Sequence, residues 1–400
     1  MISRMHFAPT FAFLSSHTTL WRLFVALALI LCGVSLALAG PREQAARIHD
    51  RLAGVPADDA TLTAMAQQLP NNPAGAANIA MNNPNFYAVT LKNFAAPWTN
   101  RDQSAFVPLN DYVTLVMGMV RDNVPFNQIL TANMLYVAPS QQPAASPTSN
   151  AHFEELEQRM RDPDFNQSEL SPTTQTAVYG TPDSATAGAM TTRGASEAFF
   201  VAGTNRAMFR FTLMNHLCTD MEQVLDTSIA PDRIRQDVSR SPGGDSRVFM
   251  NNCIGCHAGM DPLAQAFAYY NFDTTFGRMV YNSTQVHPKY FNNDTTFPDG
   301  FVTPNDSWNN HWRQGQNTLL GWNQALPGQG VGAKSLGEEL AGTTAFAQCQ
   351  VKKVFKAVCL RDAVDVNDRN RIDAMTNTFR SNNFNLKQVF AETAGYCMGN

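Results

Sequence analysis

The stretch Cys253-Ile254-Gly255-Cys256-His257 decides how the rest of this chain is read. Two cysteines with two residues between them, and a histidine directly after the second, form the pattern of a covalent attachment site for one haem c. The spacing lets both thiols add to the vinyl groups along one porphyrin edge. The adjacent imidazole is then placed to bind the iron as an axial ligand. A structural zinc site would want a second tight pair of ligands, and none follows in the sequence. A dithiol redox centre would want a preceding strand and a βαβ frame. The flanks Met250-Asn251-Asn252 and Ala258-Gly259-Met260-Asp261-Pro262 suggest neither. Cys253, Cys256 and His257 are therefore the candidate cofactor residues, with His257 as the candidate metal ligand.

The first 39 residues carry Arg4 and Arg22, no acidic residue, and then an apolar run from Leu23 to Ala39 that closes on Ala37-Leu38-Ala39 before Gly40. A basic start, an apolar stretch and a small-x-small ending read as a signal peptide over 1–39, whose cleavage leaves no stable membrane span. The alternative is an uncleaved anchor, because the run sits near the lower length limit for a span. Export agrees with the haem reading, since bacterial c-type haem is attached outside the cytoplasmic membrane. A periplasmic or otherwise exported location is expected. Losing Arg4 and Arg22 takes the formal net charge from −4 to −6, which leaves nothing to attract a nucleic acid.

Of the 7 cysteines, Cys32 leaves with the signal and two go to haem. Cys218, Cys349, Cys359 and Cys397 remain, and an oxidising compartment favours their pairing as disulfides in one of three ways. Cys349 and Cys359 fall on one expected helix, about 15 Å apart along its axis. A disulfide wants Cα atoms within about 7 Å, so that pairing is disfavoured. Cys397 is expected to pin the C-terminus to one of the others, with the partner left open.

Helical spacing dominates the pattern. Residues 42–68 read as two short amphipathic helices. Residues 108–121 place Tyr112, Leu115, Val116 and Met119 on one face, and the methionines there read as core filling. Residues 40–137 thus form an N-terminal helical region. Residues 138–150 are a linker or long loop, and 151–400 a haem-binding helical domain with its haem segment at 246–280. Within the last, Thr204 or Asn205 is placed to cap a buried helix carrying Met214, His216 and Cys218. His216 and Met214 read as packed side chains, with distal haem ligation as the lesser alternative. Residues 220–240 read as a polar helix, and Asp261-Pro262 as the cap and first turn of a new one. Leu263, Ala266, Phe267 and Tyr270 are candidates for an apolar wall against the porphyrin. Ser335 to Glu338 reads as a capping box, Ala347, Val351, Val354 and Val358 as a buried stripe, and Asp365 as a helix cap. Residues 280–332, with Trp308, Trp312 and Trp322, read as an ordered loop cluster.

Several segments together resemble the planctomycete-type cytochrome c-like proteins, exported proteins assembled from domains of unknown function. They are Phe126 to Tyr136, Gly203-Thr204-Asn205-Arg206 through Cys218, and Phe346 to Cys349 leading to Val354-Phe355. The most specific is Cys253 to His257 followed by Met260-Asp261-Pro262, Asn271-Phe272-Asp273 and Gly277-Arg278. Ala264 stands where that family has a glycine. The resemblance implies a haem protein in electron transfer. The fold class expected is mainly α, a helical cytochrome c-like haem domain with long irregular loops.

Function then turns on the position opposite His257. Met260 is too near in sequence to cross to the other haem face. Met279, with His287 and His311 behind it, is the candidate sixth ligand, and Arg278 the candidate partner of a haem propionate. The expected function is that of an exported monohaem c-type cytochrome with a redox protein as partner. The alternatives are a haem enzyme, a peroxidase or oxidase with an open distal site, and a polymer-binding protein whose three tryptophans line one exposed face. No nucleophile elbow, His-Glu-x-x-His or glycine-rich phosphate loop is present.

Overall fold

In a computed structural model that describes residues 39–200, 203–291 and 295–399, several helices begin where side chains supply acceptors for otherwise orphaned backbone amides. The segment read as a signal peptide lies, but for Ala39, outside the described residues. Asp58 accepts from Thr61 N at 2.7 Å ahead of the Asp59–Gln68 helix, and Asn72 from Gly75 N at 2.9 Å ahead of Pro73–Met81. With Pro41–Ala53, the two helices expected in residues 42–68 are both present. Asn110 caps Asp111–Arg121, whose expected apolar face is buried together with Met117. Thr343 caps Thr344–Cys359, in which Ala347, Val351, Val354 and Val358 are all buried. Asp365 caps Val366–Ser381 by accepting from Asp368 N at 2.8 Å.

Packing links these helices in series. The Pro41–Ala53 and Pro73–Met81 helices lie against Leu386–Tyr396, which packs with Thr344–Cys359 and Val366–Ser381. Thr344–Cys359 packs on Arg206–Leu217, and that helix packs on Ile254–Ala264. Residues Pro41–Gly399 form one unit whose main core runs from Ala45 to Ala394. Residues 138–150 are a long loop pinned to that unit. Asn150 Nδ2 donates to the Leu109 carbonyl at 2.9 Å, and Ala138 N donates to His152 Nε2 at 3.2 Å.

Two disulfides reinforce the series. Cys218–Cys349 joins the end of Arg206–Leu217 to Thr344–Cys359, and Cys359–Cys397 joins that helix to the C-terminal end, with Cα separations of 5.2 and 5.5 Å. Cys349 and Cys359 are not paired with each other, and Cys397 does fix the C-terminus.

The architecture is mainly helical, with, among the described residues, three two-stranded antiparallel ribbons that the sequence reading did not anticipate. They are β1 (Leu135–Val137) with β2 (Ser171–Thr173), β3 (Tyr270–Asp273) with β4 (Arg278–Tyr281), and β5 (Ser307–Asn309) with β6 (Gln329–Val331). Tyr270, expected on a helix, opens β3, and its hydroxyl donates to the Ala185 carbonyl at 2.8 Å. Leu263, Ala266, Phe267 and Tyr270 all belong to the main core, so none is a free apolar wall. Among the described residues, no helix is long and apolar enough to cross a membrane.

Four local expectations are corrected. Residues 220–240 contain one 3-10 turn, Met221–Gln223, and are otherwise irregular. Their backbone groups bond a distant loop instead, with Phe301 N donating to the Ile234 carbonyl at 2.9 Å. Asn205 does not cap through its side chain: it sits at φ 59° and its Nδ2 donates to the Phe267 and Tyr270 carbonyls. Ser335 lies inside the Gly332–Ala341 helix and accepts from Trp308 Nε1 at 2.8 Å. Asp261-Pro262 opens no helix, because Ile254–Ala264 runs straight through both residues.

Candidate haem-attachment site

The pentapeptide arrives on a five-residue π turn, Phe249–Cys253, that leads directly into the Ile254–Ala264 helix. Burial along residues 253–264 is selective. Only Cys253, Cys256 and His257 keep partial exposure, and every other residue of the stretch is buried. Spacings of i, i+3 and i+4 put those three on one helical face. The opposite sides are packed. Ile254 and Ala258 join a satellite cluster with Ile234, Val238 and Phe249, against which Cys253 also rests. Cys256 Sγ lies 3.8 Å from the Met221 carbonyl.

Two glycines allow that packing. A Cβ on Gly255 would come within 2.7 Å of Leu225 Cγ, and one on Gly259 within 1.9 Å of Trp312 Nε1. The 224–227 segment is drawn in further by a bond from Asp226 N to the Gly255 carbonyl at 3.0 Å. Leu225, on that segment, and Met250, on the π turn, remain 37% and 53% exposed, so apolar surface flanks the motif.

The four other described cysteines are consumed in disulfides, while Cys253 and Cys256 are free thiols. Burial, with Glu222, Asp220 and Cys253 adding in that order, pushes the Cys256 thiol up from its usual value. An activated redox cysteine needs the opposite shift. The sheets here are antiparallel ribbons, so the βαβ frame of a dithiol oxidoreductase is missing among the described residues. Nor do those residues hold any cluster of three or more His, Cys, Asp and Glu side chains arranged for a metal ion, as a zinc site requires.

His257 is held by a residue that the sequence reading assigned elsewhere. Its Nδ1 lies 3.1 Å from Asp261 Oδ2, one turn along the same helix, and the Asp261 side chain is fully buried. Burial alone raises the Asp261 carboxyl. The Arg206 charge, the bond to His257, the bonds to Arg206 and the Arg235 charge more than reverse it, holding the group far below the usual carboxylate range. An ionised carboxylate only accepts, so Nδ1 is the nitrogen that donates to it, and Nε2 is the one left available to a metal. Arg206 donates to Asp261 from Nε at 2.7 Å and Nη2 at 3.0 Å, and also grips Asp237 at 2.5 and 3.0 Å. Arg235 is buried beside them, donating to the Asp261 carbonyl at 3.3 Å with its guanidinium 4.9 Å from the Tyr290 ring centroid. The missed signal was the His-x-x-x-Asp spacing, which on an uninterrupted helix brings the two side chains together.

The other candidates fall elsewhere. Arg278 and Met279 lie on β4, whose ribbon packs on the Arg193–Phe199 helix. The pentapeptide helix packs instead on Arg206–Leu217, β5 and the His311–Arg313 turn. Arg278 is exposed with its guanidinium 5.7 Å from the Phe276 ring centroid, and Met279 is half-buried against the main core opposite Phe272. Met260 is packed in the core, as expected. His287 accepts from Lys289 N, and His311 pairs with Asp232 at 2.8 Å. His216 is a core histidine, 2.6 Å from the Tyr112 hydroxyl and stacked on Phe346, which removes the distal-ligand alternative for it. A cavity of about 820 Å³ on the N-terminal helices shares no lining residue with the pentapeptide.

The residues present fit a thioether-bound haem. Two unpaired thiols and an imidazole with a free Nε2 share one face, with apolar side chains beside them and the second imidazole nitrogen already anchored. No family model matches this chain, and neither does any curated protein or solved structure.

Proposed function

We propose that this chain is an exported monohaem c-type cytochrome that passes single electrons between redox proteins. The observation that carries the reading is the division of its cysteines. Disulfides take Cys218, Cys349, Cys359 and Cys397, leaving Cys253 and Cys256 as thiols on the face they share with His257. The resemblance to planctomycete-type cytochrome c-like proteins agrees with it.

In this reading Cys253 and Cys256 would hold the porphyrin edge, and His257 would present Nε2 to the iron. Asp261 keeps the Nδ1 proton in place and the ring oriented. Leu225 and Met250 would flank the attachment edge with apolar surface. Bound haem supplies a one-electron iron couple, and no acid-base group need move during transfer. The reading does not depend on Arg278 or Met279, the sequence candidates for propionate pairing and sixth ligation, which lie on β4, in the ribbon that packs on the Arg193–Phe199 helix.

A second reading, a haem enzyme with an open distal site, draws support from one observation. The buried carboxylate on His257 makes a strongly donating axial ligand, which also suits an iron that activates a bound substrate. The absorption spectrum of protein matured in a host competent for c-type haem separates the two. A low-spin, six-coordinate spectrum that cycles reversibly with one electron is the expected result. A high-spin spectrum overturns the carrier reading in favour of the enzyme.

A further inference from the structure

We infer that Asp261 is the positioning residue for the axial imidazole and that Arg206 limits its pull, so this buried array sets the iron's one-electron potential. The inference rests on the haem reading above and deepens it.

The geometry is fixed by the fold. His257 and Asp261 are one turn apart on a helix packed on its other sides, and the 3.1 Å contact has a fully buried acceptor. Water cannot compete for that carboxylate, so its field acts in a low dielectric. A carboxylate accepting from Nδ1 raises the basicity of Nε2 and strengthens its donation to a bound metal. Stronger donation favours iron(III) over iron(II) and lowers the potential.

Arg206 works against this. Its Nη2 donates at 3.0 Å to Asp261 Oδ2, the same oxygen that accepts from His257, while its Nε takes Oδ1 at 2.7 Å. Asp237 draws on the same guanidinium through both of its oxygens. Arg206 therefore divides its charge between two carboxylates, and Asp261 keeps more negative character than a simple ion pair would leave it. Bound haem would supply the one-electron couple, reduced by a donor redox protein, while Asp261 and Arg206 hold the imidazole in place.

The test is the midpoint potential of the purified, haem-loaded full chain, measured by equilibrium titration. Asp261→Asn is expected to favour reduction by tenfold or more in the equilibrium constant, a positive shift of about 59 mV for one electron. Arg206→Lys keeps a charge but loses the two-pronged grip, so it is expected to shift the potential negatively. Asp261→Glu, if it regains the contact, restores the wild-type value. A merely structural role would lower thermal stability in these variants and leave the potential alone. If Asp261→Asn does not mature, Asp237→Asn carries the test, because it frees Arg206 to neutralise Asp261. A positive shift supports the inference, and no shift overturns it. Wild-type protein without covalent haem overturns the parent reading, whereas pigmented Asp261→Asn protein with an unchanged potential overturns this inference alone.

Discussion

The indole nitrogen of Trp312 occupies the space in which a side chain at Gly259 would begin, 1.9 Å from the position of a Cβ there. Gly259 lies two residues beyond His257, so this contact seats the Ile254–Ala264 helix against the 311–313 turn. Trp312 is fully buried and also lies 5.7 Å from Phe209, centroid to centroid, on the neighbouring helix. Gly259→Ala is expected to overpack the contact and cost about 1–3 kcal/mol or more in urea unfolding. Adding Trp312→Phe should return part of that loss, giving a coupling of about 0.5–3 kcal/mol in a double-mutant cycle. Additive effects would show that the two residues do not meet.

The two disulfides should differ in weight. Cys218–Cys349 closes a separation of 131 residues and Cys359–Cys397 one of 38. Loop-closure entropy assigns them about 5 and about 4 kcal/mol respectively. Peptide mapping without reductant should recover these two pairings. The Cys218→Ala/Cys349→Ala double variant should lower stability more than the Cys359→Ala/Cys397→Ala one. Recovery of a Cys218–Cys397 peptide would contradict the pairing.

Acid should weaken the fold through His216. Burial first, and then the nearby Lys353 charge, hold this imidazole well below its ordinary value of 6.5. Below pH 6.5 the unfolded chain takes a proton that the folded chain refuses. The unfolded state thus binds more protons, and stability falls as pH falls. The slope from one such group is at most about 1.4 kcal/mol per pH unit. His216→Gln keeps an acceptor for the Tyr112 hydroxyl and should flatten the difference between unfolding curves at pH 5 and pH 7. An unchanged slope would contradict a neutral, buried His216.

Met279→Leu tests the sixth ligand. The β3–β4 ribbon packs on the Arg193–Phe199 helix, while the pentapeptide helix packs on Arg206–Leu217. From that placement the visible and near-infrared spectra are expected to stay as in wild type. Loss of a methionine-to-iron charge-transfer band in the variant would instead identify Met279 as the ligand.

What the sequence made legible was local. The exclusion of a Cys349–Cys359 bond, the Asp365 cap and the valine stripe of Thr344–Cys359 each depend on spacing within a few turns. Asp261 was misread for the same reason, because Asp-Pro is a good helix start when only neighbours are considered. What overrode it was packing. Arg235 binds the Asp261 carbonyl and Arg206 its carboxylate, so the helix continues through Pro262. The irregular 220–240 segment and the tryptophans were hidden by distance in sequence. Trp308, Trp312 and Trp322 are buried, and Trp322 Nε1 donates to the Trp312 and Asn317 carbonyls. They form no exposed platform of tryptophans for a polymer.

The most direct measurement is the intact mass of protein matured in a host competent for c-type haem, recorded after acid-acetone extraction, for wild type and for the double variant Cys253→Ala/Cys256→Ala. The account predicts that wild type keeps its colour and the added mass of one porphyrin through extraction. It also predicts that the double variant Cys253→Ala/Cys256→Ala emerges at the bare polypeptide mass. Wild-type protein that is colourless, or that gives up all its pigment to the solvent, would contradict it.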